Sequence, residues 1–430
     1  MNFMEALLIP PSAAHVSIAK HTIIILSLFF VPYISILVGS TLFSLIFSVR
    51  AKTEDNNMFA RFAEDMVKTL AGSAGVAIIL GILSLLTIGI SFAQITYGAG
   101  VKMSQYFLVT LLATIAAVIL VQVYKNSFQY REKSFGLHIF WGVLAFLALN
   151  DVIWSFVASA GILLWPEKWP LIDTIIPLTF DWNVIARFNH FMTAALAITG
   201  GAILFFFFSW MGGKEDMSDE YRAYAKKFAV GITIAFTIIQ ALFFLWYIGT
   251  LPVMAKSYDV YVSAVICVFL MLMISYFVYA FSQNGKLQHG TIAFVLFLVL
   301  FLGVAKNEEY ARETSLSYQN YALARLDHDT KKKIEEQRAA NSGAEANIEL
   351  GEELYNTKCF ACHQFDQKMV GPAYKDVLPK YEGDLEKLKA FILNPVKVDP
   401  EYIPMPNQGL KPHEAESAAM YLLKKYEESK

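Results

Sequence analysis

Three cysteines in 430 residues, two of them close together, exclude a disulfide framework. The third, Cys267, lies in an apolar run, where packing is its ordinary use. Charged residues are scarce at 17%, and 35 Lys and Arg stand against 37 Asp and Glu, for a formal net charge of -2. No basic stripe is interleaved with aromatics, so nucleic acid has no electrostatic footprint and is not expected as a partner. The chain shows no internal repeat, and no low-complexity tract beyond a short Ala/Asn/Ser/Gly stretch at 339–347. The first residues lack the n-region and small-residue cleavage site of a removed signal peptide, so the first helix is expected to act as its own signal.

What abounds is apolar surface. Hydrophobic residues make up 56% of the chain and aromatics 14%, with a mean hydropathy of +0.45. Apolar runs long enough to cross a hydrocarbon core of roughly 20 residues recur from about Thr22 to Ala305. They predict an all-α fold, a polytopic transmembrane bundle of about eight helices. These helices fall at about 21–49, 70–97, 104–124, 137–164, 188–211, 226–250, 259–281 and 288–305. The domain reading is a transmembrane helical domain at 1–305, a polar linker at 306–345 and a compact C-terminal domain at 346–430. Within the polar stretch Lys331, Lys332 and Lys333 sit beside Glu335 and Glu336, as in a solvated helix or tether.

Loop charge sets the orientation. Arg50, Lys52, Arg61 and Lys68, then Lys125, Arg131 and Lys133, then Lys214, Arg222, Lys226 and Lys227, then Lys286 occupy alternate connections, against Lys20, Lys102, Lys168, Arg187 and Lys256 on the other side. Positive residues stay inside. Both termini and the C-terminal domain are therefore expected outside, and the long connection from Trp165 to Arg187, with Pro166, Pro170 and Pro177, is read as an interfacial loop.

Cys359-Phe360-Ala361-Cys362-His363 is the motif that carries chemistry. Two cysteines at this spacing each form a thioether to a haem vinyl group, and the adjacent histidine then lies under the iron. A zinc site needs two further ligands, and the tail offers only His328 and His413; a thioredoxin-like reading needs a βαβ context that is missing. For the second axial ligand Met369 follows His363 too closely to wrap round, Met420 lies in an amphipathic helix, and Met405 remains, in the stiff loop Pro404-Met405-Pro406. With the opening helix around Gly351–Lys358, Gly371-Pro372 and a closing helix from Pro412 to Lys425, this region of about 85 residues resembles class I cytochrome c. The resemblance implies one covalent haem c with His363 and Met405 on the iron, and a one-electron carrier. It also implies attachment on the outer, periplasmic face of a bacterial inner membrane, the side that loop charge assigns to the tail.

Histidines in the membrane block call for a functional account. His15, His21 and His190 fall at outer helix ends, His138 and His289 at inner ones, and each is either a cofactor ligand or a satisfied interfacial residue. No helix carries two histidines about 13 or 14 positions apart, which argues against a cytochrome of the bc type. The segment Arg187-Phe-Asn-His190 through Gly200, with Lys226-Lys227-Phe beyond it, resembles helix 5 and its exit in subunit I of cytochrome bd oxidase. Gly136-Leu-His138, Asn150 and Trp154 resemble its helix 4, and Glu309-Tyr310-Ala311-Arg312 its Glu-Tyr-Gly-Arg segment. The resemblance implies a b-type haem on His190, a haem-site histidine at His21, and quinone as a substrate. Three departures accompany it. Val101–Tyr124 contains no Asp or Glu, which speaks against oxygen reduction. The quinol-binding loop shrinks to about Thr250–Asp259. The helix 7 methionine aligns near Ile266, leaving Met271 or Met273 as substitutes.

Asp151, Glu309 and Arg312 are the candidate catalytic residues, Asp151 for proton or quinone work or as a buried ion-pair partner, and Glu309 with Arg312 as a haem-site pair or a surface ion pair. Two functions remain open: respiratory electron transfer between the quinone pool, through a b-type haem, and a periplasmic c-type haem; or a membrane anchor and c-haem conduit for a larger oxidoreductase. Expected partners are membrane lipid, other subunits of a respiratory complex and a periplasmic electron donor or acceptor protein.

Overall fold

The computed structural model describes residues 8, 11–172, 180–342 and 345–430. Part of the connection read as an interfacial loop, 173–179, lies outside the described residues, as do 343 and 344 of the short Ala/Asn/Ser/Gly stretch. The chain divides into two compact units, Met1–Asp327 and His328–Lys430. Among the described residues no strand is present, so the fold is all-α.

Eight helices of the first unit are long and apolar enough to cross a membrane. They are α1 (Ala13–Thr53), α3 (Ala74–Ile95), α4 (Met103–Ser127), α5 (Phe135–Gly161), α6 (Trp182–Phe208), α7 (Asp219–Thr250), α8 (Tyr258–Asn284) and α9 (Leu287–Ser315). Between α1 and α3 lies α2 (Asn57–Leu70), which hydropathy alone leaves as a connection. Its origin is a 3.6-residue period: Phe59, Phe62, Ala63, Met66, Val67 and Leu70 are buried, while Arg61, Glu64 and Lys68 fall on the other face. The Asn56 side chain starts it by accepting from the Met58 and Phe59 amides.

Several helices outrun their expected bounds because polar ends continue the backbone ladder past the apolar run. α9 extends to Ser315, ten residues beyond the expected end at 305, and brings Asn307, Glu308 and Arg312 into helical register. α3 contains a π-helical stretch, Ala77–Leu83, where the Ser84 hydroxyl donates to the Ile79 carbonyl five residues back at 3.0 Å. α6 is central and touches α7 closely: a Cβ on Gly200 would lie 2.6 Å from the Ala229 carbonyl oxygen. Small residues permit such approach where lipid gives no hydrophobic drive between helices. Leu112, Leu147, Leu242, Val265 and Phe269 point outward, as a lipid-facing surface requires.

The polar stretch after the bundle is helix α10 (Ser317–Ser342), on which Lys331, Lys332, Lys333, Glu335 and Glu336 are exposed. The second unit packs α11 (Ile348–Leu354) against α13 (Pro412–Glu428), with α12 (Leu385–Leu393) alongside. Its core is small: Tyr355, Phe365, Tyr374, Leu378, Leu388 and Leu422 are the larger buried members.

Candidate functional site

The Cys359–His363 motif is shaped from the helix that precedes it. The Asn347 side chain accepts from the Leu350 amide at 2.8 Å and starts α11, which runs into a π-turn over Tyr355–Cys359. The Cys359 carbonyl then accepts from the amides of Cys362 (3.1 Å) and His363 (2.9 Å), closing one tight turn that holds both half-buried thiols and the imidazole. Burial pushes the Cys359 thiol above its ordinary pKa, and a hydrogen bond from the Tyr374 phenol opposes the rise.

Gly371 and Pro372 orient the histidine. His363 Nδ1 lies 3.0 Å from the Pro372 carbonyl, which only accepts, so Nδ1 carries the proton and the lone pair resides on Nε2. The Gly371 amide donates to the Cys362 carbonyl at 2.9 Å, and a Cβ on Gly371 would meet the His363 ring carbon Cε1 at 2.2 Å. Tyr374 stacks on the imidazole with ring centroids 5.0 Å apart. The loop 394–411 carries Met405, half-buried between exposed Pro404 and Pro406. Asn407 Nδ2 donates to the Leu393 carbonyl at 2.9 Å, and Lys368 Nζ lies 4.5 Å over the Tyr402 ring, tying this loop to the segment just after the motif. Val396, Val398 and Ile403 in the loop are 63–66% exposed. A half-buried imidazole with a free Nε2, a glycine cradle and exposed apolar side chains fit a flat apolar ring with a metal at its centre.

Residues 348–425 match the profile of the family described as Cytochrome c. This chain belongs, through that domain, to the cytochrome c family. The domain is 40% identical over 78 residues to cytochrome c-551 of Pseudomonas denitrificans, covering 17% of this chain and 94% of that protein. Against cytochrome c-551 of Azotobacter vinelandii the identity is 40% over 79 residues, covering 17% and 96%. Against cytochrome c-552 of Hydrogenobacter thermophilus (strain DSM 6534 / IAM 12695 / TK-6) it is 35% over 69 residues, covering 15% and 69%. The C-terminal cytochrome c domain carries covalently bound haem c and serves electron transfer. Among the described residues no three His, Cys, Asp or Glu side chains gather as a cation cluster.

Two glycines test this architecture. Gly351 lies where α11 crosses α13, and a Cβ there would sit 2.1 Å from the Ser417 carbonyl oxygen. Gly351→Ala is expected to destabilise the cytochrome c domain by about 1–3 kcal/mol, the usual cost of overpacking, read by denaturant titration of the full chain at the haem c band. Gly371→Ala is expected to displace the imidazole and shift the low-spin haem c spectrum without reducing covalent haem staining.

In the bundle, His190 is buried and lines a cavity with about 800 Å³ of empty space, its open mouth included. Arg187 and His190 of α6, Gln240 and Tyr247 of α7, and Glu308 and Arg312 of α9 supply its polar wall. Arg187 Nη2 donates to Glu308 at 2.6 Å and Arg312 Nη1 to the same carboxylate at 3.3 Å. His190 Nδ1, Arg187 Nε, Gln240 Oε1 and Tyr247 Oη are buried with no hydrogen-bond partner. Four orphaned polar atoms on residues lining one cavity make it a candidate ligand site.

The other expected residues are not brought there. His21 is exposed and its Nδ1 is 2.8 Å from the Ser17 carbonyl, one turn back on its own helix. Asp151 is exposed and is not the buried ion-pair partner considered above. Met271 is buried on α8 but does not line the cavity. Glu309 and Arg312 do not pair with each other: Glu309 pairs with Lys306, and Arg312 reaches Glu308. Glu308 and Glu309 are four and three positions from Arg312, so both lie on its side of the helix; Arg312 reaches Glu308 while Lys306 takes Glu309. His138 is a satisfied core residue, with Nδ1 2.6 Å from the Ser127 hydroxyl, Nε2 3.3 Å from the Ser48 hydroxyl, and the Tyr124 ring stacked on it. Gln240, Tyr247 and Glu308 carry no motif of their own; Glu308 was findable from its spacing to Arg312.

Proposed function

We propose that this protein transfers electrons within a respiratory membrane between the quinone pool and its haem c, with a b-type haem on His190 as the intermediate carrier. In this reading Cys359 and Cys362 hold haem c by thioethers, and His363 Nε2 and Met405 Sδ are its axial ligands. The haem supplies one-electron exchange between ferric and ferrous iron. Residues 1–305 act as the membrane part, 306–345 as the linker and 346–430 as the carrier, on the periplasmic side of a bacterial inner membrane. The bundle's likeness to cytochrome bd oxidase subunit I is part of this proposal, as are the expected respiratory subunits and a periplasmic redox partner.

The carrying observation is the cavity at His190. The orphaned, buried Nδ1 supports a ligand on the imidazole, and two guanidinium groups suit a haem's carboxylates. Among the described residues His190 is the one His or Met side chain on its wall, and it would offer the b-type haem one axial nitrogen there. His21 and Met271, the expected completing ligands, lie elsewhere. Oxidation of one quinol releases two electrons and two protons; the protons would leave to the aqueous phase, and the one-electron carrier held by Cys359, Cys362, His363 and Met405 would pass the electrons one at a time to the periplasmic redox partner. Oxygen reduction is not proposed, because α4 presents no carboxylate between Val101 and Tyr124.

A reduced-minus-oxidised spectrum of the purified full-length protein tests the reading. Both a b band and a c band are expected, and His190→Ala is expected to remove the b band and stop quinol-driven reduction of haem c while covalent haem staining persists. A c band alone in the wild type would leave the bundle as an anchor and conduit for a larger oxidoreductase.

A further inference from the structure

The cavity at His190 is overcharged in one sign. Arg187 and Arg312 are almost fully buried, with 5% and 9% of their side chains exposed, and Glu308 is the carboxylate that both of them reach. Glu309 and Glu313 also lie near Arg312, but each brings its own cation, Glu309 pairing with Lys306 and Glu313 with Lys20, so they leave the sign of the balance unchanged. Two guanidinium groups therefore face one carboxylate. The Val157 carbonyl accepts from Arg187 Nη1 at 3.1 Å, and the Tyr247 and Phe92 rings lie 5.6 and 5.4 Å from the Arg187 and Arg312 guanidinium carbons. These contacts solvate the charge without cancelling it, and Arg187 Nε still has no partner. An uncompensated buried charge costs several kcal/mol, so a protein that keeps one has a use for it. Apart from Ser27, the rest of the wall is apolar, including Phe156, Phe191 and Phe301. That combination suits an amphiphile with an apolar body and an ionised oxygen group at one end.

We propose that Arg187 and Arg312 are the counter-charge for a ligand oxyanion in this cavity, the carboxylate of a b-type haem. The proposal rests on the haem reading given above. The phosphate of an anionic lipid would present the same chemistry, and the test separates the two. Both arginines are positioning residues: they hold the ligand's acidic end by forked hydrogen bonds, and they stabilise the more negative redox state by electrostatics.

The test uses purified full-length protein in detergent, with non-covalent haem extracted and counted against covalent haem c, and with the midpoint potential of the b band titrated. Arg187→Gln and Arg312→Gln are each expected to speed haem loss to an acceptor globin by about tenfold or more, and to lower the potential of the haem that remains. Glu308→Gln, which removes the opposing charge, is expected to raise that potential. A residue that merely supported the fold would not give shifts of opposite sign. Covalent haem staining reports folding, and Arg187→Lys, which keeps the charge and loses the fork, is expected to preserve the potential while weakening retention. Arginine variants with wild-type haem content and potential would overturn the inference and leave the b haem in place. If the wild type holds no non-covalent haem, the haem reading falls, and mass spectrometry of co-purified lipid decides. Anionic phospholipid retained by the wild type and lost from Arg187→Gln supports the oxyanion site, and its absence from both overturns it.

Discussion

Replacing Cys359 and Cys362 together by Ala is expected to abolish haem staining of the denatured polypeptide completely. The turn closed on the Cys359 carbonyl presents both thiols beside His363, so each sulfur would be placed for one vinyl group, and the sequence of the second unit has no other cysteine. The single variants are each expected to keep part of the stain through the remaining thioether. Full staining in the double variant would remove the attachment site from this motif. The same variant is expected to lose most of the domain's stability, because the core of the second unit is small and its loop leaves Val396, Val398 and Ile403 exposed for a ring to cover.

Met405→His is expected to lower the haem c midpoint potential by tenths of a volt, since axial ligand identity sets haem potentials over roughly 0.8 V. Thioether sulfur favours ferrous iron, and imidazole shifts the balance towards ferric. Met405 sits in a loop held by the Asn407 to Leu393 hydrogen bond and by Lys368 over Tyr402, so the exchange alters the ligand while those ties remain. The potential is measured by redox titration of the full chain, together with the near-infrared Met–Fe band, which is expected to vanish. An unchanged potential with that band intact would pass the role to Met369 or Met420.

The residues of the cytochrome c domain were legible in order along the chain because their chemistry is local. A Cys-x-x-Cys-His turn, a Gly-Pro pair and a Met-Pro loop are each set by neighbours a few positions apart, and the domain's family membership agrees with that reading. Hydropathy likewise marked the eight apolar helices, since crossing a hydrocarbon core needs a long apolar run wherever it occurs. It passed over α2, whose mean character is polar and whose apolar residues form a face only at helical period.

The cavity in the bundle shows the other side of the division. His190 and Arg312 were singled out from sequence, but Gln240, Tyr247 and Glu308 were not. His21 and Asp151 share the His190 end of the membrane by residue number and point elsewhere. Glu309 stands one position from the acid that matters, and a single residue turns a helical side chain by about 100°. Sequence by itself determined the eight apolar helices, the Cys-x-x-Cys-His motif and the sign of each loop. Tertiary structure alone decided that Arg187, Gln240, Tyr247, Glu308 and Arg312 meet around His190, because three helices separated in sequence must pack before their ends share one low-dielectric space, where an unpaired charge or donor becomes costly and so informative.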